Sequence, residues 1–161
     1  MSKKITLIAE IGENHIGNIK KAKEMISLAK KAGADFVKFQ SYNIDRLKKK
    51  DPEYDWFKKV SLSDKDHRIL KNFSTKKNIK FFSSPFSLER ARFLCEDLKL
   101  KVIKVASCKM TDLKLLRYLN KHCNTVYLST GTANILEIKR SIKTLSNVET
   151  KILHCVSEYP L

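Results

Sequence analysis

The sequence predicts an α/β protein built on a parallel sheet, and three observations carry that prediction. Short apolar runs alternate strictly with longer runs of helical period, six of the first and five of the second. Each helical run opens on a residue that can cap it, and most of the apolar runs end in polar residues.

The first run, Ile5–Ala9, ends in Glu10 and leads into a glycine-bearing loop, Gly12 to Gly17. Asn18 caps a helix whose Ala22, Met25, Ile26 and Ala29 share one face, and Gly33 stops it. Phe36–Gln40 follows as a short buried strand of β-forming residues. Side chains alternate along a strand, so Lys38 and Gln40 share a side opposite Val37 and Phe39. Residues 41–62 form a long, charged, irregular connection that also holds Tyr54, Trp56 and Phe57. Loops of that length in compact domains are usually functional or mobile.

Ser63 with Asp66 reads as a helix start, with Ile69, Leu70 and Phe73 turned inward. Strand Ile79–Phe82 runs into Ser83 and Ser84, and Ser87 caps a helix burying Ala91, Leu94, Cys95 and Leu98. Strand Val102–Ala106 carries Lys104 inside an apolar run and is followed at once by Ser107. Asp112 caps a helix with Leu113, Leu116 and Leu119 on its buried side. Strand Thr125–Leu128 ends in Ser129-Thr130-Gly131, and Asn134 caps a helix with Ile135, Ile138, Ile142 and Leu145 on one side. The last strand, Ile152–Val156, leads to Ser157-Glu158-Tyr159.

Composition narrows the function. At 161 residues, 42% apolar and 31% charged, the chain fits one folded domain with a real core. Its 33 basic against 17 acidic residues give a net charge of +16, which favours anionic partners. The lysines are dispersed, with Lys48-Lys49-Lys50 the longest run, and aromatic and basic residues do not interleave as they do in single-strand binders. Nucleic acid is therefore not the expected partner. The four cysteines, Cys95, Cys108, Cys123 and Cys155, lack metal-ligand or Cys-x-x-Cys spacing and read as reduced, mostly buried thiols. Neither a leader nor a membrane-length apolar run is recognisable, so the cytoplasm is the expected location.

In a parallel sheet the carboxyl ends of strands collect ligands. Here those ends supply Glu10, Lys38 with Gln40, Ser83 and Ser84, Lys104 with Ser107, the Ser129-Thr130-Gly131 turn, and Ser157 with Tyr159. Two ammonium groups, several hydroxyls and backbone N–H groups at a helix start suit a phosphate or a carboxylate. A single lysine of this kind would be read as snorkelling outward; repetition along the chain weakens that reading. Glu10 is read equally well as an acid that orients a lysine or moves a proton, and as a salt bridge to Lys38 or Lys104. His15 reads as a loop hydrogen-bonder and His154 as a satisfied core histidine of the last strand. Neither has neighbours at metal-ligand spacing, so no metal is assigned to this chain.

The segments Ile8-Ala9-Glu10-Ile11-Gly12-Glu13-Asn14-His15-Ile16-Gly17, Val37-Lys38-Phe39-Gln40, Phe82-Ser83-Ser84-Pro85-Phe86, Ile103-Lys104-Val105-Ala106-Ser107, Leu128-Ser129-Thr130-Gly131 and His154-Cys155-Val156-Ser157-Glu158-Tyr159-Pro160 follow one another in order. In that order and spacing the chain resembles the sialic acid synthases, the N-acetylneuraminate synthase family. The resemblance implies a (β/α)8 TIM barrel followed by a small antifreeze-like domain. Residues 1–161 would then be the N-terminal part of that barrel, about six strands and five helices, with the remaining strands and the C-terminal domain absent. Length alone would instead point to an open doubly wound sheet, since a closed barrel typically needs about 250 residues.

The resemblance further implies condensation of phosphoenolpyruvate with an N-acetylated amino sugar, such as N-acetylmannosamine, to a nonulosonic acid with release of phosphate. It implies a divalent metal, Mn or Mg, whose ligands lie beyond this chain, and a homodimer for the full-length form. Carried over by position, Lys38, Ser84, Lys104, Ser107 and Ser129 match phosphoenolpyruvate-binding residues and Glu10 an active-site acid. Gln40, Ser157 and Tyr159 match positions near the sugar. One departure stands out: the family's Ala-Ser-Gly-Glu is Ala106-Ser107-Cys108-Lys109 here, a thiol and a cation in place of a glycine and a carboxylate. That leaves the sugar open. A barrel of six strands would expose edges, so we expect a truncated form, a split gene product or one piece of an oligomer, inactive by itself. The rival reading is a non-catalytic anion-binding or nucleic-acid interaction module derived from the same fold, favoured by the charge and by Lys109 and opposed by the joint presence of Glu10, Lys38 and Lys104.

Overall fold

The computed structural model describes residues 5–158, which fall into two compact units, one up to Ser83 and one from Ser84. The first unit contains β1 (Ile8–Gly12), α1 (Ile19–Lys31), β2 (Phe36–Ser41), a 3-10 turn (Ile44–Arg46), α2 (Tyr54–Val60), α3 (Asp64–Lys76) and most of β3 (Lys80–Pro85). Its sheet runs in the order β1-β2-β3, so β2 is the middle strand. Phe36, Val37, Lys38 and Phe39 are all buried, as expected of a strand covered on both faces. Phe39 stacks on Phe81 at 5.3 Å between centroids, and Phe36 meets Phe82 edge-on at 5.4 Å.

The second unit contains α4 (Leu88–Arg92), which widens without a break into a π-turn (Phe93–Asp97), then β4 (Val102–Val105) and a 3-10 turn (Ser107–Lys109). α5 (Leu113–His122), β5 (Thr125–Ser129), α6 (Ile135–Thr144) and β6 (Glu149–Leu153) complete it. Its strands are parallel in the order β4-β5-β6. The α/β class and the parallel pairing agree with the sequence.

All five predicted caps form. Asn18, Ser87 and Asp112 each accept a backbone N–H of the first turn, and Ser63 and Asn134 make reciprocal capping boxes with Asp66 and Glu137. α1 ends where Gly33 takes a φ of +86°, the left-handed value that favours glycine.

Other expectations need correction. The connection over 41–62 is not irregular throughout: α2 makes a sixth helix, with Tyr54, Phe57 and Val60 at helical spacing along one side. β1 starts three residues later than predicted, because Leu7 is already engaged by Asp35 and Phe36 through its backbone and the ladder begins at Ile8↔Phe36. β6 covers Glu149–Leu153 rather than 152–156, because its register starts at Thr125↔Glu149, where the Thr125 hydroxyl also donates to the Glu149 carboxylate. His154 is therefore outside the strand and exposed, not a core histidine. In α3 the fully covered positions are His67, Leu70 and Ser74, with Ile69 and Phe73 only half-buried. Ile135 of α6 is exposed.

Candidate functional site

In the first unit the polar strand ends converge. A bulge at the end of β1 skips Ile11 in the register, leaving Glu10 directly opposite Lys38 and Gly12 opposite Phe39. The Lys38 ammonium lies 2.9 Å from Glu10 Oε2. Its side chain is 5% exposed while that of Glu10 is 54% exposed, so a buried cation is held by a carboxylate that still faces solvent. The snorkelling reading of Lys38 fails here, because the middle strand of the sheet gives it no route outward. Gly12 has φ +53°, and a Cβ there would lie 3.2 Å from Glu10 Oε1 and 3.6 Å from Gln40 Nε2. Its bare backbone is thus the floor on which the Glu10 and Gln40 side chains meet, a role that the sequence signalled only as a glycine two residues after an acid.

The loop behind this group is tightly built. His15, 1% exposed, accepts the Gly17 N–H at Nδ1 (3.1 Å) and packs on the Phe39 ring. Burial is the main reason its pKa falls below the usual imidazole value, against the raising effect of a hydrogen bond with the Gly12 backbone. Gly17 is pressed against α2, where a Cβ would sit 2.1 Å from the Lys59 carbonyl oxygen. The Trp56 indole donates to Glu13 Oε2 at 3.2 Å. The Tyr42 hydroxyl donates to the Phe57 carbonyl, and burial followed by the nearby Glu13 carboxylate drives its pKa up. Trp56 and Phe57, read from sequence only as aromatics in a long connection, thus fasten α2 to the β1–α1 loop and to Tyr42 at the end of β2 respectively.

At the end of β3, Ser83 and Ser84 are both buried, and the Ser83 hydroxyl has no hydrogen-bond partner among the described residues. In the second unit Lys104 is half-buried on β4, in register with Tyr127. Ser107 opens the 3-10 turn that follows and accepts the Gly131 N–H at 3.1 Å. A Cβ on Gly131 would lie 2.6 Å from Ser157 Oγ, so Ser107, Gly131 and Ser157 meet at one point. Ser129 is buried with its hydroxyl unpartnered among the described residues, and Thr130 donates to the Leu153 carbonyl.

Three of the backbone N–H groups at this turn and helix start are engaged: Ser107 takes that of Gly131, and Asn134 takes those of Leu136 and Glu137. Tyr159 lies outside the described residues. No group of three or more His, Cys, Asp or Glu among the described residues could hold a metal ion. No helix of the described residues is long and apolar enough to cross a membrane.

A model of the NeuB family matches residues 25–161. The chain belongs to the NeuB family. It is 38% identical over 178 aligned residues to an N,N'-diacetyllegionaminic acid synthase of Campylobacter jejuni, covering 98% of this chain and 53% of that protein. It is 39% identical to an uncharacterized protein of Methanocaldococcus jannaschii, covering 96% of this chain and 47% of the relative. The crystal structure of N-acetylneuraminic acid (sialic acid) synthetase from Leptospira borgpetersenii superposes with a TM-score of 0.93 at 33% identity, over 99% of this chain and 56% of that one. A truncated 3-deoxy-D-arabino-heptulosonate 7-phosphate synthase from Thermotoga maritima, at 15% identity and TM-score 0.69, shares the fold. This NeuB-family chain thus spans about half the length of the curated relatives it matches.

Proposed function

We propose that this chain is the N-terminal part of a (β/α)8 barrel in a synthase that condenses phosphoenolpyruvate with an N-acetylated amino sugar, forming a nonulosonic acid and releasing phosphate. The observation that carries the reading is the buried Lys38 ammonium, held 2.9 Å from Glu10 beside Gln40 on a strand end of a NeuB-family chain. Relatives named as synthases of sialic, legionaminic and pseudaminic acids support it. In the reaction, C3 of the enol attacks the sugar aldehyde, water adds at C2, and phosphate leaves. Positive charge and hydroxyls neutralise the phosphate and carboxylate of phosphoenolpyruvate, the role proposed for Lys38 in the first unit and for Ser84, Lys104, Ser107 and Ser129 in the second. Glu10, partly open to solvent and paired with Lys38, is the group proposed to move a proton near the reacting carbons. Gln40, Ser157 and Tyr159 are proposed to face the sugar.

Because the curated relatives are about twice as long, turnover is proposed for the whole protein and only phosphoenolpyruvate binding for these 161 residues. The test is a thermal melt of this chain with phosphoenolpyruvate in large excess. Binding at a hundred times the dissociation constant raises the midpoint by roughly 5 to 11 °C. Lys104→Met abolishes that shift if the reading holds. A shift that survives Lys104→Met, weakens only modestly and fades with salt would instead identify a non-catalytic anion-binding module, the alternative that the +16 charge and Lys109 favour.

A further inference from the structure

One buried cluster takes no part in the strand-end chemistry. Cys95 and Cys123, separated by 27 residues in sequence, bring their sulfurs to 3.6 Å, and both are nearly covered, 4% and 8% exposed. Each is held from both sides. Cys95 sits in the π-turn, where Leu98 N–H bonds back to the Phe93 carbonyl and Leu100 N–H to that of Leu94, with Lys99 in the left-handed region at φ +55° to close the segment. Helix widenings of this kind recur at functional sites.

Cys123 caps α5 through its own N–H to Leu119 and is flanked by bonds to a single residue. Lys101 Nζ donates to the His122 carbonyl at 3.0 Å, and the Lys101 carbonyl accepts the N–H groups of Asn124 and Thr125. The sulfurs are thereby fixed against each other, in contact but unbonded.

We propose that Cys95 and Cys123 are an oxidative modification site, a dithiol that a hydroperoxide converts to a disulfide stapling the π-turn to the start of β5. The Cys95 thiolate attacks a peroxide oxygen, the O–O bond breaks, and Cys95 becomes a sulfenic acid as the departing oxygen leaves as water. Cys123 sulfur then attacks the Cys95 sulfur, the S–O bond breaks, and the hydroxyl leaves as water with the Cys123 proton. Two thiols and one hydrogen peroxide give one disulfide and two waters.

The electrostatics agree with these roles. The hydrogen bond from Cys123, aided by the Lys101 cation, pulls the Cys95 pKa below the ordinary thiol value, and the same bond with burial pushes that of Cys123 up. The 3.6 Å contact lets either sulfur resolve the other, and the direction of these shifts favours Cys95 as the attacking thiol and Cys123 as the resolving one. Cys123 lies just before the amino end of β5, whereas Ser129 lies at its carboxyl end. Oxidation therefore stiffens the second unit without touching the proposed anion-binding groups, and the inference stands independently of the synthase reading.

The test uses the reduced chain, freed of reductant and exposed to hydrogen peroxide, then alkylated in denaturant and digested with trypsin. The expected product links peptides 93–99 and 122–139 at a mass two hydrogens below their sum. The link disappears with dithiothreitol, and the oxidised chain melts about 5 to 15 °C higher. Dimedone added during oxidation traps Cys95 as its sulfenic adduct, and Cys123→Ser increases that trapping. Three results overturn the proposal: linkage of Cys95 to Cys108 or Cys155, oxidation of Cys95 to the sulfinic acid with Cys123 still alkylatable, or no loss of the two thiols under peroxide that oxidises the exposed Cys108. The wild-type mapping is decisive even if the Cys123 variant does not fold.

Discussion

The two units place the same residue type at a strand end and treat it differently. Lys38 lies on the middle strand of β1-β2-β3, is buried, and has a carboxylate opposite it in register. Lys104 lies on an outer strand of β4-β5-β6 and is half-buried. Around Lys38 the polar end is closed by a loop and by α2, packed backbone against backbone at Gly17. Around Ser107, Gly131 and Ser157 the tightest contact is to a side-chain hydroxyl, with the Cys155 carbonyl oxygen next, and Ser157 is exposed. The lesson is that a lysine inside an apolar strand run has no single fate. The strand's place in the sheet decides whether it is a buried, ion-paired charge or a partly exposed one.

The largest test of this contrast sets two glycines against each other. Gly17→Ala puts a Cβ 2.1 Å from a backbone oxygen at φ +71°, and should cost about 2 to 4 kcal/mol in denaturant unfolding. Gly131→Ala meets the Ser157 hydroxyl at 2.6 Å, which can rotate away, and the Cys155 carbonyl oxygen at 3.2 Å, which must give by a few tenths of an ångström, and should cost less, about 1 to 2 kcal/mol. Equal losses would erase the distinction between a closed end and an open one.

Next in size is Glu10→Gln, which strips the counter-charge from a buried ammonium. Removing a partner from a fully buried pair costs roughly 3 to 5 kcal/mol, and since the Glu10 side chain is 54% exposed and screened the expected loss is about 1 to 2 kcal/mol. Lys104→Met should stay within about 0.5 kcal/mol of wild type. A larger loss at Lys104 than at Glu10 would reverse the contrast, making Lys104 the more embedded of the two lysines.

The smallest effect is a pH dependence confined to the first unit. His15 has a folded-state pKa below its unfolded value of 6.5, because burial disfavours the cation. Above that value both states are neutral and nothing is lost. As pH falls through about 6.5 the unfolded chain takes up the proton first, so stability declines until the folded-state pKa is passed. The difference in stability between wild type and His15→Asn should therefore shrink on acidification over that interval; a difference independent of pH would mean that His15 titrates alike in both states.

Much of the candidate site was legible before the fold. Glu10, Lys38 and Gln40 belong to the larger set of strand-end polar groups that the sequence offers, and of the two salt-bridge partners it leaves open for Glu10, Lys38 or Lys104, the structure pairs it with Lys38. Gly12 as the floor of that group, the capture of the Gly131 N–H by Ser107 and the approach of Cys95 to Cys123 were not legible. Each depends on residues brought together across long sequence separations, for which spacing holds no signal.

What the sequence determined by itself is local. The caps at Asn18, Ser63, Ser87, Asp112 and Asn134 and the stop at Gly33 follow from hydrogen bonds spanning two or three residues and from one backbone dihedral, so side-chain chemistry at a single position suffices. The alternation of strand and helix periods likewise sets the α/β class. Only the tertiary structure decided where β1 and β6 begin, because a ladder's register is chosen by the partner strand and not by the propensity of its own residues. It also decided that His67 and Ser74 rather than Ile69 and Phe73 lie fully covered in α3, because burial is set by what packs on a face as well as by its period.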